Sequence, residues 1–359
     1  MVRQSKKTTG KNTRAALSAA GTRRQRTTKS AGTGKTLSGK IRTGAIRFLV
    51  CAFFSLLLSM LLFVFGVSYY VIYEGLRPTE KDMDEVYGYM YSEYPFLRPW
   101  VTDLNRHKIL RDTVIVADDS TKLHAYIIPA AKPTPNTAVV VHGHRCCAVE
   151  MFHIAYMYHH DMGFNVLLPD LRAHGQSEGT HVQMGWLDRL DVIRWMDVAN
   201  EVFGGSTRMV VHGISMGAAT TMMVSGEERQ PDYVKCYVED CGYTDVWDEF
   251  SYVSSHDYHI APFPFINIAS RICKWKYGWD FREASALRQV SKSVKPMLFI
   301  HGLSDTYVPS EMVNRLYMAK KKDKSIWTKK GVMHARMYHD YRKEYTHEVS
   351  QFVNMWFYK

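Results

Sequence analysis

The chain has 359 residues, of which 46% are hydrophobic and 23% charged, and it carries a formal net charge of +11. This composition excludes a wholly disordered or collagen-like chain, and six cysteines are too few for a disulfide scaffold. Residues 1–47 hold 13 of the 46 Lys and Arg and no acidic residue, so 33 basic and 35 acidic residues remain, a net charge of −2. The basic character belongs to a tail, and we expect no nucleic-acid binding by the folded part.

Two segments precede the folded part. Residues 1–47 are polar and basic, with almost no large apolar side chains, and are predicted to be disordered. Residues 48–73 carry no charged side chain, and as a helix they would span ~39 Å, more than the ~30 Å hydrocarbon core of a bilayer. This predicts one transmembrane helix. A signal peptide cleaved near Gly66-Val67-Ser68 is the alternative, although the apolar run exceeds the usual length of about 7–15 residues.

The flanks of the apolar segment predict its orientation. Dense positive charge lies on its N-terminal side, whereas Glu74 opens its C-terminal side. By the positive-inside rule, the N-terminus is expected in the cytoplasm and the domain at residues 78–359 on the extracytoplasmic side.

The folded part alternates predicted strands and helices. Strands are predicted at 113–117, 123–129, 138–141, 165–169, 209–211, 234–238, 297–300 and 325–328, and helices at 80–94, 147–162, 186–203, 217–228, 309–321 and 341–357. Continuous apolar runs such as Ala138–Val141 are typical of strands covered on both faces. Repeated strand–helix units predict one doubly wound α/β domain with a mostly parallel sheet.

One stretch interrupts the alternation. Residues 245–293 separate two predicted strands and are rich in aromatic side chains. They are interpreted either as a lid inserted between the strands or as ordinary helices packed over the sheet.

The segment Gly213-Ile214-Ser215-Met216-Gly217 matches the pattern G-x-S-x-G. A strand precedes it and small residues follow, which is the context of a nucleophile elbow, a sharp turn that exposes a serine hydroxyl at a helix N-terminus. Ser215 is therefore the predicted nucleophile.

A serine nucleophile needs a base and an acid that orients the base. In this kind of fold they follow the serine in the order acid, then histidine. Asp305 in His301–Asp305 and His334 in Gly331–His334 each follow a predicted strand, and we expect them to be the acid and the base. Asp240, at the end of the strand predicted at 234–238, is the rival acid.

Two backbone N–H groups are needed to stabilise an oxyanion, and the candidates are those of Met216 and His144. His144 lies in the loop His142-Gly143-His144-Arg145-Cys146-Cys147. Two histidines and two adjacent thiols do not make a zinc ligand set, so neither a metal nor an organic cofactor is predicted. Cys236 and Cys241 are candidates either for a disulfide or for buried reduced thiols.

Residues 113–359 resemble the α/β-hydrolase superfamily through HG at 142–143, DLRAHGQSEG at 170–179, GISMG at 213–217, HGLSD at 301–305 and GVMH at 331–334. The second motif is similar to a loop found in serine aminopeptidase-like and esterase-like proteins, several of which carry an N-terminal membrane anchor. The resemblance implies that Ser215 attacks a carbonyl, His334 relays its proton and Asp305 orients the imidazole. It also makes Asp170 and Arg172 structural residues that fix the loop beside the site.

Three functions follow as hypotheses. The first is a membrane-anchored hydrolase of a small or lipid-like carboxylic ester. The second is a serine aminopeptidase-like peptidase, which would need an acidic group near the site to bind a free amine. The third is a membrane-tethered scaffold without activity, which the intact Ser, Asp and His set disfavours.

Overall fold

The computed structural model describes residues 34–228 and 230–359, and its first element is a long helix, α1 (Gly34–Leu76). From Gly39 to Leu76 this helix is long and apolar enough to cross a membrane, and an 18-residue window within it has a mean hydropathy of 2.8. It begins inside the segment predicted to be disordered. Lys, Arg, Leu and Ala favour helix, and extending an existing helix costs little compared with starting one. The prediction for residues 1–33 lies outside the described residues.

The last turns of α1 belong to the same compact body as the sheet, which runs from Met60 to Lys359. Ser68, Ile72 and Leu76 recur at helical spacing and are almost completely buried against this body. The apolar helix is therefore also a packing element of the folded part.

Eight strands form one sheet in the order β1-β2-β4-β3-β5-β6-β7-β8. They are β1 (Arg111–Val116), β2 (Lys122–Ile128), β3 (Asn136–Val141), β4 (Asn165–Pro169), β5 (Arg208–Ile214), β6 (Val234–Asp240), β7 (Met297–Gly302) and β8 (Lys324–Lys329). β2 pairs antiparallel with β1 and β4, and all other neighbours are parallel. Every residue of β3, β4 and β7 is buried, as expected for central strands with helices on both faces. The predicted α/β fold class is confirmed.

Helices cover both faces of the sheet. Beyond α1 they are α2 (Met83–Glu93), α3 (Leu97–Arg106), α4 (Phe152–Tyr156), α5 (Asp188–Val202), α6 (Met216–Ser225), α7 (Val246–His256), α8 (Pro262–Tyr277), α9 (Ala286–Lys292), α10 (Glu311–Ala319), α11 (Met337–Asp340) and α12 (Arg342–Phe357). A 3₁₀ turn (Ala148–Met151) and a π-turn (Met157–Asp161) flank α4. The sequence did not predict α3, because Pro99 resembles a helix breaker; it lies in the first turn of α3, where its missing N–H costs nothing.

The insertion between β6 and β7 contains α7, α8 and α9. Asp245 and Ser285 form an antiparallel bridge that joins the two ends of residues 246–284. α8 buries Ile266 and Ala269 in the core, and α9 buries Ala286 and Val290 there. Helices packed on the body therefore make up much of the aromatic stretch, and its action as a lid stays a prediction.

Candidate active site

Ser215 occupies the sharp turn between β5 and α6. Its backbone has φ 57° and ψ −120°, a strained conformation for a residue with a side chain. The two glycines that flank Ser215 are required because a side chain at either position would clash with the backbone. A Cβ on Gly213 would lie 2.0 Å from the carbonyl oxygen of Gly217, and one on Gly217 would lie 2.1 Å from that of Val141. The turn thus holds Ser215 at the N-terminus of α6.

Ser215, His334 and Asp305 form a hydrogen-bonded row. The Ser215 Oγ lies 3.0 Å from His334 Nε2, and His334 Nδ1 lies 2.7 Å from Asp305 Oδ2. The three residues follow β5, β8 and β7 in that order, and the carboxyl ends of these parallel strands lie at one edge of the sheet. This geometry lets the imidazole accept a proton from the serine while the carboxylate fixes its Nδ1–H tautomer.

Asp305 is held as a carboxylate. Burial opposes its ionisation, but hydrogen bonds from His301 and His334, together with the Val308 backbone N–H, lower its pKa well below the usual value. The N–H groups of Tyr307 and Val308 both donate to Oδ1 at 2.9 Å. A charged carboxylate can stabilise an imidazolium on His334, which a neutral acid cannot do equally well.

Asp240 lies nearby but does not contact His334 by a hydrogen bond. Its Oδ2 accepts a 2.9 Å hydrogen bond from the Tyr345 hydroxyl, which also lies 2.9 Å from His212 Nε2. Burial is the main cause that raises the pKa of Asp240 to about 6. The geometry therefore brings Asp305 rather than Asp240 to the imidazole.

The loop after β3 approaches the nucleophile. A Cβ on Gly143 would lie 3.4 Å from both the Ile214 carbonyl oxygen and Ser215 Cβ. Within the described part of the chain, the backbone N–H groups of His144 and Met216 donate to no other group. His144 and Met216 line the same cavity as Ser215, so their N–H groups are available to a ligand there.

The segment 170–179 braces this loop. His142 Nδ1 lies 2.8 Å from the Gly143 carbonyl oxygen, and its Nε2 accepts the Leu171 N–H at 2.9 Å. Asp170 accepts the Ala148 N–H at 2.7 Å through Oδ1. Arg172 forms a two-point ion pair with Asp191, at 2.5 and 3.0 Å. These contacts are internal to the fold and give Asp170 and Arg172 a structural role.

Ser215 opens into a cavity that is partly open to solvent. Its walls come from α1, α7 and the loop after α7, and they are mainly apolar. The lining residues used below are Val67, Tyr70, Val71, Phe250, Val253, Tyr258 and Ile260.

The sequence did not predict that two further groups, Glu249 and the Cys241 thiol, lie at the site. Glu249 of α7 lines the cavity, is 5% exposed, and its Oε2 contacts no partner within the described residues. Burial raises the pKa of Glu249 well above its usual value. The Cys241 sulfur lies within 4.8 Å of a carboxylate oxygen of Asp305 and a ring nitrogen of His334. Cys236 and Cys241 are both buried free thiols. A sequence lists such residues but does not reveal which ones face a cavity.

Comparison with known proteins shows the family. Residues 151–359, more than half of the chain and including Ser215, Asp305 and His334, match the prolyl oligopeptidase family. The Bacillus subtilis protein YqkD is 28% identical over 242 residues, which cover 64% of this chain and 79% of YqkD. The Escherichia coli O157:H7 protein YfhR is 25% identical over 219 residues, 58% of this chain and 68% of YfhR.

Solved structures share the fold. An esterase of Pyrococcus furiosus, Pf2001, superposes with a TM-score of 0.57 at 21% identity, covering 69% of this chain and 91% of the esterase. A puromycin-hydrolyzing peptidase of Mycobacterium tuberculosis gives a TM-score of 0.53 at 21% identity, covering 69% of this chain and 39% of the peptidase. With the elbow and the strand order described above, the chain belongs to the prolyl oligopeptidase family of the α/β-hydrolase superfamily, and it is a serine hydrolase.

Proposed function

We propose that the protein is a membrane-anchored carboxylic ester hydrolase in which Ser215 is the nucleophile, His334 the general base and Asp305 the orienting acid. The observation that carries this proposal is the hydrogen-bonded row of 3.0 and 2.7 Å that ends at the floor of an apolar cavity. The chemistry needs no metal or organic cofactor.

The reaction runs in two steps. Ser215 Oγ attacks the ester carbonyl carbon while His334 Nε2 takes the hydroxyl proton, and that proton then passes to the leaving alcohol as the ester C–O bond breaks. His334 next takes a proton from water, which attacks the acyl-serine carbonyl carbon. The bond from this carbon to Ser215 Oγ then breaks, the His334 proton returns to Oγ, and the carboxylic acid leaves. Asp305 stays ionised throughout and stabilises the imidazolium formed in each step.

The oxyanion formed in each step faces the N–H groups of Met216 and His144. Removal of one such donor costs about 10²–10³ in kcat in a well-studied protease. The N-terminus of α6 adds a favourable dipole at the same place.

A peptidase is the second candidate, and one observation favours it. The Glu249 carboxyl is buried in the cavity wall with an unpaired Oε2, where it could bind the free amine of a substrate. Against this, burial raises the pKa of Glu249 and so disfavours the charged form that would pair with an ammonium group. The rest of the cavity is apolar and favours an acyl group. An ester hydrolase is therefore our first candidate function and a peptidase the second.

The activated serine is tested by fluorophosphonate labelling of the full-length protein in detergent, beside Ser215→Ala. We expect wild type to be labelled and Ser215→Ala to lose both labelling and on the order of 10⁶-fold in kcat on p-nitrophenyl esters. A wild-type protein that is folded but neither labelled nor active would instead be a scaffold.

Substrate preference, measured in wild type and in Glu249→Gln, distinguishes an esterase from a peptidase. An amide keeps the shape of the side chain but cannot neutralise an ammonium group. If the protein is an esterase, p-nitrophenyl butyrate hydrolysis by far exceeds hydrolysis of aminoacyl p-nitroanilides in wild type. A peptidase would show the reverse preference, and Glu249→Gln would then raise KM for the aminoacyl substrates selectively.

The proposed anchor is α1. We propose that it crosses the membrane with the basic tail in the cytoplasm and the body outside, because the positive charge precedes the apolar segment.

A further inference from the structure

The cavity that holds Ser215 shares a wall with the apolar helix. Val67, Tyr70 and Val71 of α1 line it together with Phe250, Val253 and Ile260, from α7 and the loop after it. The polar residues Ser215, His144, Glu249, Glu74 and Arg145 line the same cavity. A mainly apolar cavity with the Ser215 hydroxyl in its wall suits an acyl chain with its carbonyl at the serine.

The position of the cavity along α1 can be compared with the depth of a bilayer. A helix needs about 20 residues to cross the ~30 Å hydrocarbon core. Counted from Phe48, the first residue after Arg47, that length ends at about Val67. Val67 is also the first α1 residue of the cavity wall. Val67, Tyr70 and Val71 thus lie in the C-terminal third of the charge-free run at residues 48–73.

The neighbouring helix α8 presents aromatic side chains beside α1. α8 contacts α1 through Phe265, whose ring centre is 6.2 Å from that of Phe63, and through Lys276, whose Nζ lies 5.2 Å from the Tyr69 ring centre. On this helix Phe263 is 75% exposed and Trp275 is 85% exposed. Exposed aromatics beside an apolar helix are typical of the membrane–water interface, where their rings leave bulk water.

We propose that the substrate is a glycerolipid ester of the membrane, whose acyl chain passes from the bilayer between α1 and α7 to Ser215. This rests on the proposed function and names its substrate class. Ser215 then forms the acyl ester with the fatty acyl group, the glycerol oxygen leaves with the proton from His334, and water releases the fatty acid. The side chains of Phe263 and Trp275 hold the mouth of the cavity at the membrane surface.

The experiment uses the full-length protein in vesicles of diether phospholipid, which contain no hydrolysable ester. Either diacylglycerol or phosphatidylglycerol is added as the sole lipid ester, and released fatty acid is measured by mass spectrometry. Hydrolysis of p-nitrophenyl butyrate is followed in the same vesicles. We expect wild type to release fatty acid and Ser215→Ala to release none. Comparison of diacylglycerol with phosphatidylglycerol shows whether the enzyme prefers a neutral lipid or one with an anionic headgroup.

Val71→Trp tests the path of the acyl chain, because it fills the α1 wall of the cavity. It should lower the ratio of lipid to butyrate hydrolysis by about tenfold or more. Val253→Trp, which alters an α7 residue of the same cavity, should lower this ratio too and provides the test if Val71→Trp fails to fold. Tyr73→Trp is the matched control, since Tyr73 is exposed on the same helix and does not line the cavity; its ratio should equal that of wild type.

The pair Phe263→Ser and Trp275→Ser should lower the ratio in vesicles but not in detergent micelles, where lipid reaches the cavity without a membrane surface. Butyrate hydrolysis that depends on Ser215, without fatty acid release in either arm, would overturn the lipid proposal and leave the esterase intact. An unchanged ratio in both wall variants would also overturn it. Loss of butyrate hydrolysis and fluorophosphonate labelling in wild type would instead defeat the proposed function itself.

Discussion

Two buried acids lie near His334, and their surroundings shift their pKa values in opposite directions. Asp305 receives hydrogen bonds from two backbone N–H groups and from histidine, which hold its pKa low although it is buried. Among the described residues, the Asp240 carboxylate accepts a hydrogen bond only from the Tyr345 hydroxyl, and burial raises the pKa of Asp240 to about 6. Only the first environment suits a permanent negative charge beside an imidazole.

Substitution of each acid by asparagine distinguishes their roles. Asp305→Asn should lower kcat on p-nitrophenyl butyrate by about 10⁴, because the amide favours the wrong imidazole tautomer. Asp240→Asn keeps a carbonyl oxygen for the Tyr345 hydroxyl and should stay within a few-fold of wild type. An active Asp305→Asn together with an inactive Asp240→Asn would show that the acid has been misassigned.

The raised pKa of Asp240 also makes stability depend on pH. An acid with a higher pKa in the native state binds its proton more tightly there, so the native state loses stability as pH rises from about 3.8 to about 6. Asp240→Asn removes this pH-dependent loss of stability, because the amide does not titrate. Relative to wild type, the free energy of unfolding of the variant should rise by up to about 3 kcal/mol between pH 4 and pH 8. Melting temperatures measured across this range provide the test, and parallel curves for the two proteins would contradict it.

At the scale of elements, the loop after β3 is tied to the end of α1. The Arg145 guanidinium donates to the Glu74 carbonyl oxygen at 2.6 Å and reaches the Glu74 carboxylate at 3.3 Å. His144 Nε2 lies 3.0 Å from the Gly75 carbonyl oxygen. Carbonyls in the last turn of a helix lack intrahelical partners, and a cation there is favourable. These hydrogen bonds therefore connect the end of the apolar helix directly to the proposed oxyanion loop.

Arg145→Met tests this connection. Loss of its hydrogen bonds frees the loop that carries the His144 N–H, so kcat on p-nitrophenyl butyrate should fall by about 10-fold to 100-fold with a smaller change in KM. Arg77→Met is the control, because Arg77 also pairs with Glu74, at 3.3 Å, but is largely exposed. Equal kinetics in the two variants would show that the contact with α1 does not position the loop.

The sequence predicts the sheet and its loops better than it predicts the cavity. Runs such as Ala138–Val141 identify central strands because burial on both faces requires apolar residues at every position. Chain order then selects Ser215, Asp305 and His334, because the carboxyl ends of parallel strands meet at one edge of a sheet. The orientation of Glu249 has no comparable pattern, since a single acid on a helix is usually solvated. The wall formed by Val71 depends on tertiary packing of a segment that composition alone identifies as a membrane span.

At the scale of the whole molecule, one helix combines two features. Its charge-free run is long enough to cross a bilayer, and its last turns bury Ser68, Ile72 and Leu76 in the body. For the membrane crossing proposed above, the side on which the body lies decides which leaflet supplies the proposed lipid substrate.

Orientation is tested with cysteines placed at opposite ends of the chain. Lys322→Cys lies at an exposed position just before β8, and Thr13→Cys lies in the basic tail. With the positive charge retained in the cytoplasm, a membrane-impermeant maleimide should label Lys322→Cys on intact cells and Thr13→Cys only after permeabilisation. Wild type sets the background, because four of its six cysteines are buried. The reverse pattern would place the body in the cytoplasm, and the lipid esters available to Ser215 would then be those of the inner leaflet.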